Sequence, residues 1–138
     1  MRKLQFDSGV KEYKVNDTGV LRFNPSDPNV FRRFLDAAEE IDAIENEFSL
    51  STYGTEEDGT WVIRAMAEAD RKVKAVLTKV FGEANDFEKI LGGVNLLAVG
   101  ENGERVITNL FAALLPILQE GAEACARLRA DEIRAGRK

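Results

Sequence analysis

Histidine is absent from the 138 residues, and there are only one cysteine, one tryptophan and two methionines. Without histidine the chain lacks the usual general base at neutral pH and the commonest ligand for zinc, copper or haem. Neither Cys125 nor Ser26 has an imidazole to activate it as a nucleophile, and nothing in the spacing of the lysines points to a substitute base. A lone cysteine permits no intrachain disulfide, which fits a reducing compartment; within its apolar pattern Cys125 reads as a small buried hydrophobe. Long hydrophobic runs are missing too. The most apolar stretch, Leu110 to Leu118, is interrupted by Pro116 and is about half the length a bilayer requires. Met1-Arg2-Lys3 is followed by no apolar segment of the kind a signal peptide carries. No phosphate-binding or dinucleotide-binding glycine pattern occurs, and Glu56-Glu57-Asp58-Gly59 lacks the alternating ligands of a calcium loop. Neither a cofactor nor a metal is expected, and an enzyme is the least favoured class.

What is present describes a water-soluble globular chain: 44% apolar and 31% charged residues, with a mean hydropathy of -0.26. Its length suits a single domain spanning 1–138. The net charge of -5 and pI near 4.9 disfavour nucleic acid and anionic membranes as partners.

The pattern along the chain predicts a mainly α protein: a short β-hairpin or three-stranded ribbon, then a helical bundle of three main helices and one short one. A β-rich arm covers 1–24, a helical body 28–130 and a flexible basic tail 131–138. Leu4–Phe6, Glu12–Val15 and Val20–Phe23 are strand-like, and Asn16-Asp17-Thr18-Gly19 tolerates the positive φ of a hairpin turn. Tyr13 and Val15 share one face, with Lys14 on the other. In Asn24-Pro25-Ser26-Asp27-Pro28, Asp27 suits a helix N-cap and Pro28 the first helical position. The first helix then presents Phe31, Phe34, Leu35, Ala38, Ile41, Ile44 and Phe48 at spacings of three and four and ends before Ser51. A loop with Gly54 and Gly59 leads to a second helix from about Thr60 to Phe81, stopped by Gly82. Asn85 with Glu88 resembles a capping box for a short helix closed by Gly92-Gly93. Residues 94–101 are compatible with a strand or a loop, and a loop is preferred. A long helix follows from about Glu104 to Ala130, which Pro116 should bend or divide near Ala113.

Charge is segregated. Between Asp36 and Asp58 there are nine acidic residues and no basic one, whereas Arg71, Lys72, Lys74 and Lys79 crowd into nine positions of the second helix. This is either a solvated surface or an interface. In an antiparallel helical hairpin the two signs would meet along an edge; between subunits the same separation would set orientation and reject wrong partners. Asp36, Glu40, Glu47, Lys72, Lys74 and Lys79 are therefore candidate interface residues. Trp61, off the apolar line of its helix, is either a core edge or an interface anchor.

Five segments, in order, resemble the small tail assembly chaperones encoded in the tail modules of long-tailed phages and prophages of Gram-positive bacteria. They are Leu4-Gln5-Phe6-Asp7-Ser8-Gly9-Val10 with Tyr13-Lys14 after it, Phe23-Asn24-Pro25-Ser26-Asp27-Pro28, Val80-Phe81-Gly82, Gly92-Gly93-Val94-Asn95, and Arg105-Val106-Ile107-Thr108-Asn109-Leu110. The resemblance implies a non-enzymatic protein of the host cytoplasm that holds the tape measure protein soluble until tail tube subunits polymerise around it. It also implies self-association and absence from the mature virion. Such proteins are often made in two lengths by frameshifting. Other readings are a structural tail or head–tail subunit retained in the particle, and a small helical host adaptor.

Overall fold

Turn chemistry dictates the first element. Asn16 adopts a φ of 47°, and the short turn pairs Val15 with Gly19 and, at the open end, Lys11 with Phe23. A computed structural model describes residues 1–55 and 57–136, with β1 at Lys11–Val15, β2 at Gly19–Phe23, α1 at Pro28–Thr52, α2 at Gly59–Phe81, α3 at Phe87–Ile90 and α4 at Val106–Arg134. The protein is thus mainly α behind an antiparallel hairpin. Of the two arrangements expected for the β-rich arm, the hairpin is the one formed. The segment Leu4–Phe6 pairs with nothing, and residues 1–10 run exposed.

The outer edge of β2 is taken by a side chain. Asn85 accepts from the Arg22 amide and donates to the Arg22 carbonyl, both at 2.9 Å, and donates again to the Phe81 carbonyl at 2.8 Å. It mimics a strand residue. That role removes Asn85 from the expected cap of α3, where Asp86 instead accepts from the Lys89 amide. The hairpin's inner face buries Leu21 and Phe23. From there a line of rings runs inward: Tyr13 to Phe23 at 5.0 Å, Phe23 to Phe81 at 4.9 Å and Phe81 to Phe87 at 5.8 Å.

Asp27 caps α1 through the Asn29 amide, with Pro28 at the first helical position. The buried line of α1 is Val30, Phe34, Ala37 and Ile41. Leu35 lies about 100° round the helix from Phe34 and is 53% exposed, contrary to the expected stripe. The helix also outruns its expected end. Ser51 and Thr52 hydroxyls donate back to the Phe48 carbonyl at 3.0 and 2.8 Å, which satisfies the last turn and carries it to Thr52. α2 begins at Gly59, capped by Asp58, and buries Ala69, Val73, Val76, Leu77, Val80 and Phe81.

Between α3 and α4 the chain forms a loop that carries an isolated β-bridge of Val99 with Arg105 and no strand. Leu96 and Leu97 are nevertheless fully buried. A buried loop requires partners for its backbone, and they are present. Asp70 accepts from the Leu96 amide at 2.8 Å, Arg105 donates to the Leu97 carbonyl at 2.7 Å, and Lys74 donates to the Val94 carbonyl at 2.9 Å.

α4 is continuous through its 29 residues and Pro116 does not divide it. Pro116 and Ala112, whose carbonyl loses its helical donor, both lie on the exposed side, where the unpaired carbonyl is not buried. The helix continues past Ala130 to Arg134, with Arg129–Glu132 and Arg134–Asp131 ion pairs along the extra turn. The segment expected to be a flexible tail from residue 131 is therefore helical over its first four positions; 137 and 138 lie outside the described residues. Near its middle, α4 crosses the chain at Pro25. A Cβ on Gly121 would overlap the Pro25 carbonyl, so only glycine permits that approach. Leu114, Leu118 and Ile107 of α4 join the hairpin and the other helices in one apolar cluster.

Candidate partner-binding groove

The short connection between α1 and α2 sets the two helices side by side, and their opposite charges meet across the seam. Lys79 reaches Glu40 at 3.3 Å and Lys72 reaches Glu47 at 3.4 Å. All four side chains are largely exposed, so each pair contributes only about 0–1 kcal/mol. Asp36 pairs with Arg32 on its own helix at 3.6 Å and shares a shallow cleft with Glu40 and Lys79. Glu56, part of the acidic run, lies outside the described residues.

Lys74 stands apart from the other candidates. Its side chain is 9% exposed and its ammonium reaches Asp70 at 2.8 Å and Glu88 at 2.7 Å, besides the Val94 carbonyl. Burial pulls its pKa down, but the hydrogen bonds and charges of Asp70 and Glu88 prevail and raise it overall. Its charge is used inside the chain, tying α2 to α3 and to the buried loop, and is not displayed on a surface. Only part of this was local: Asp70 precedes Lys74 by one helical turn, whereas Glu88 and Val94 lie 14 and 20 positions away.

Toward the loop end of the seam, the helices part into an open groove of about 290 Å³. Ile44 and Phe48 of α1 and Trp61, Ala65 and Ala69 of α2 line it, with Glu47, Arg64, Glu68 and Lys72 at the rim. Glu47, Trp61 and Lys72 are thus brought together from the candidate set. Asp58 positions Trp61 by accepting its amide at 3.2 Å, and the indole N–H donates to the Ser51 carbonyl at 3.4 Å. Trp61 remains 49% exposed, at the mouth of the groove.

Behind Phe48 stands Arg105, its guanidinium 5.7 Å from the ring centre and 3.8 Å from Glu45. Burial raises the Glu45 pKa, Arg105 opposes that, and Asp42 adds to it. Sequence reasoning missed Arg105 in this place, because nothing local ties the start of α4 to the end of α1. It also passed over Leu50, Tyr53 and Ile63, which are 79%, 84% and 68% exposed around the same helical tip. A detectable signal existed: four large apolar residues, Trp61 included, flank one short loop. Isolated exposed apolar residues are ordinary, whereas several at one tip are characteristic of an interaction surface.

Cys125 is half-buried and lines a second apolar groove with Pro25, Phe31 and Leu35, so it is less enclosed than its pattern suggested. Among the described residues no helix is long and apolar enough to cross a membrane. No family model, curated protein or solved structure matches the chain.

Proposed function

We propose that this protein is a non-enzymatic holding chaperone of phage tail assembly. It binds the tape measure protein in the cytoplasm of the bacterial host, keeps that long chain soluble until tail tube protein polymerises around it, and is left out of the finished virion. Copies of the chain associate with one another in doing so. The observation that supports this most directly is the helical tip, where an apolar groove has Trp61 at its mouth and Leu50, Tyr53 and Ile63, close to the same loop in sequence, are exposed. The groove is small and open compared with sites that enclose a ligand. It suits one or two side chains of an amphipathic helix laid across it, with apolar residues at i, i+3 and i+4 entering and the mixed rim charges meeting polar flanks. The ordered sequence segments that resemble tail assembly chaperones are the reason for proposing the tape measure protein as that helix.

Co-expression with the tape measure protein tests the proposal. The partner should be soluble with the wild-type chain and insoluble with Trp61→Ala, whose melting temperature should stay within a few degrees of wild type because Trp61 is half exposed. A partner no more soluble with the wild-type chain than without it overturns the holding role. Stoichiometric recovery of the chain in purified tails would favour a retained structural subunit.

A further inference from the structure

Residues 1–10 belong to no strand or helix and are wholly exposed, an arm at the surface of the body. Leu4 is 87% and Phe6 78% exposed, so no groove of their own chain receives them. Laid out as a strand, residues two positions apart present one face, so Leu4 and Phe6 can enter a groove together. The arm is nonetheless fixed at its root. The Asp7 carboxylate accepts the Gly9 amide at 2.8 Å, and the Asn24 side chain donates to the Ser8 carbonyl at 3.0 Å. Gly9 has a φ of 77° and packs so closely on Asn24 that a Cβ would lie 2.5 Å from its Nδ2.

Next to that root is an apolar groove of about 260 Å³, walled by Pro25, Phe31 and Leu35 and, from α4, Ala122 and Cys125. We propose that the arm of one copy lies in this groove of a second copy, with Leu4 and Phe6 as its anchors, and that the exchange is reciprocal. The proposal deepens the self-association in the reading above and rests on it only in that copies of the chain meet.

Three observations favour a second copy as the occupant. The arm leaves the body beside the groove, an arrangement in which a two-fold axis carries each arm across to its partner's groove while the partner's arm returns. Residues 1–7 reach at most about 25 Å, enough to cross such a junction. Charge agrees with this: the ten arm residues carry +1, from Arg2 and Lys3 against Asp7, whereas the remainder of the chain carries -6. Asp27 and Arg32 both line the groove, so the attraction comes from the whole body and not from the groove lining. Area agrees as well. Two exchanged arms withdraw Leu4, Phe6 and Val10 of both copies and two groove walls from water, on the order of 1,000 Å², about the lower limit for a specific interface and the size of a weak, reversible one.

Cys125 is the sole cysteine and lines the groove, so disulfide trapping reads the contact directly. In Phe6→Cys, mild oxidation should produce a covalent dimer, and Cys125→Ala in the same chain should abolish it. A dimer that survives Cys125→Ala, a disulfide within one chain, or no disulfide at all overturns the exchange. Sedimentation of Leu4→Asp/Phe6→Asp supplies the second measurement, since both positions are exposed and the monomer should melt as wild type does. Self-association should weaken on the order of a hundredfold. Unchanged association of this variant refutes the arm exchange and leaves self-association through another surface, whereas a wild-type chain that stays monomeric throughout the micromolar range refutes both.

Discussion

Replacing Lys74 with methionine removes a buried cation and leaves its neighbours in place. Asp70 is only 14% exposed; one carboxylate oxygen would keep the Leu96 amide while the other loses the Lys74 ammonium. The Val94 carbonyl loses the ammonium too. Glu88, 62% exposed, returns to water at little cost. Removing one partner of a buried pair costs about 3–5 kcal/mol, and the partial access of Asp70 to water places Lys74→Met near the lower end, about 3 kcal/mol. In a domain of this size that is a fall of roughly 10 °C in melting temperature. Asp70→Asn in the same chain should recover about 1–2 kcal/mol, because a neutral Asn still accepts from Leu96 and carries no stranded charge. Denaturant unfolding at pH 7, with the four chains of the double-mutant cycle, measures both quantities. The sign of the pH dependence follows from the raised Lys74 pKa. Its stabilisation is complete below the unfolded value near 10.5 and is lost as pH rises through the higher folded value. A Lys74→Met protein within 0.5 kcal/mol of wild type would refute the reasoning and return Lys74 to the surface.

Gly121→Ala sets two effects against each other: alanine gains about 1 kcal/mol of helix propensity, but its Cβ overlaps the backbone carbonyl of Pro25. Backbone has little room to yield, so a net loss of about 2 kcal/mol or more is expected by thermal unfolding, and a stabilised variant would show that the crossing relaxes freely. Asn85→Ala removes three hydrogen bonds and should cost about 2–3 kcal/mol. The Arg22 amide should at the same time exchange with solvent faster than its neighbours in β2; unaltered protection there would mean that Asn85 is dispensable to the strand edge.

The amino-acid sequence by itself determined the elements whose causes are local. Asn16 and Gly19 close the hairpin, Asp27-Pro28 opens α1, Gly82 stops α2, and spacings of three and four mark each long helix, because a turn, a cap and an amphipathic face are decided within a few residues. The pairing of opposite charges across α1 and α2 was legible on the same basis, since a short connection leaves neighbouring helices antiparallel. Tertiary structure decided what depends on residues far apart in the chain. Asn85 serves β2 and not α3 because Arg22, 63 positions away, offers it a full set of bonds. Lys74 turned inward because Glu88 and the Val94 carbonyl converge with Asp70 on its ammonium, and Leu35 turned outward because α1 buries the line through Phe34. The groove at Trp61 likewise requires residues of two helices, Ile44 and Phe48 of α1 and Trp61, Ala65 and Ala69 of α2, to meet around one space. Leu4–Phe6 is the instructive remainder. Its strand-like pattern is evident, yet a strand forms only where a third element pairs with an edge of the hairpin; the sheet stops at two strands and those residues are left with their apolar side chains exposed.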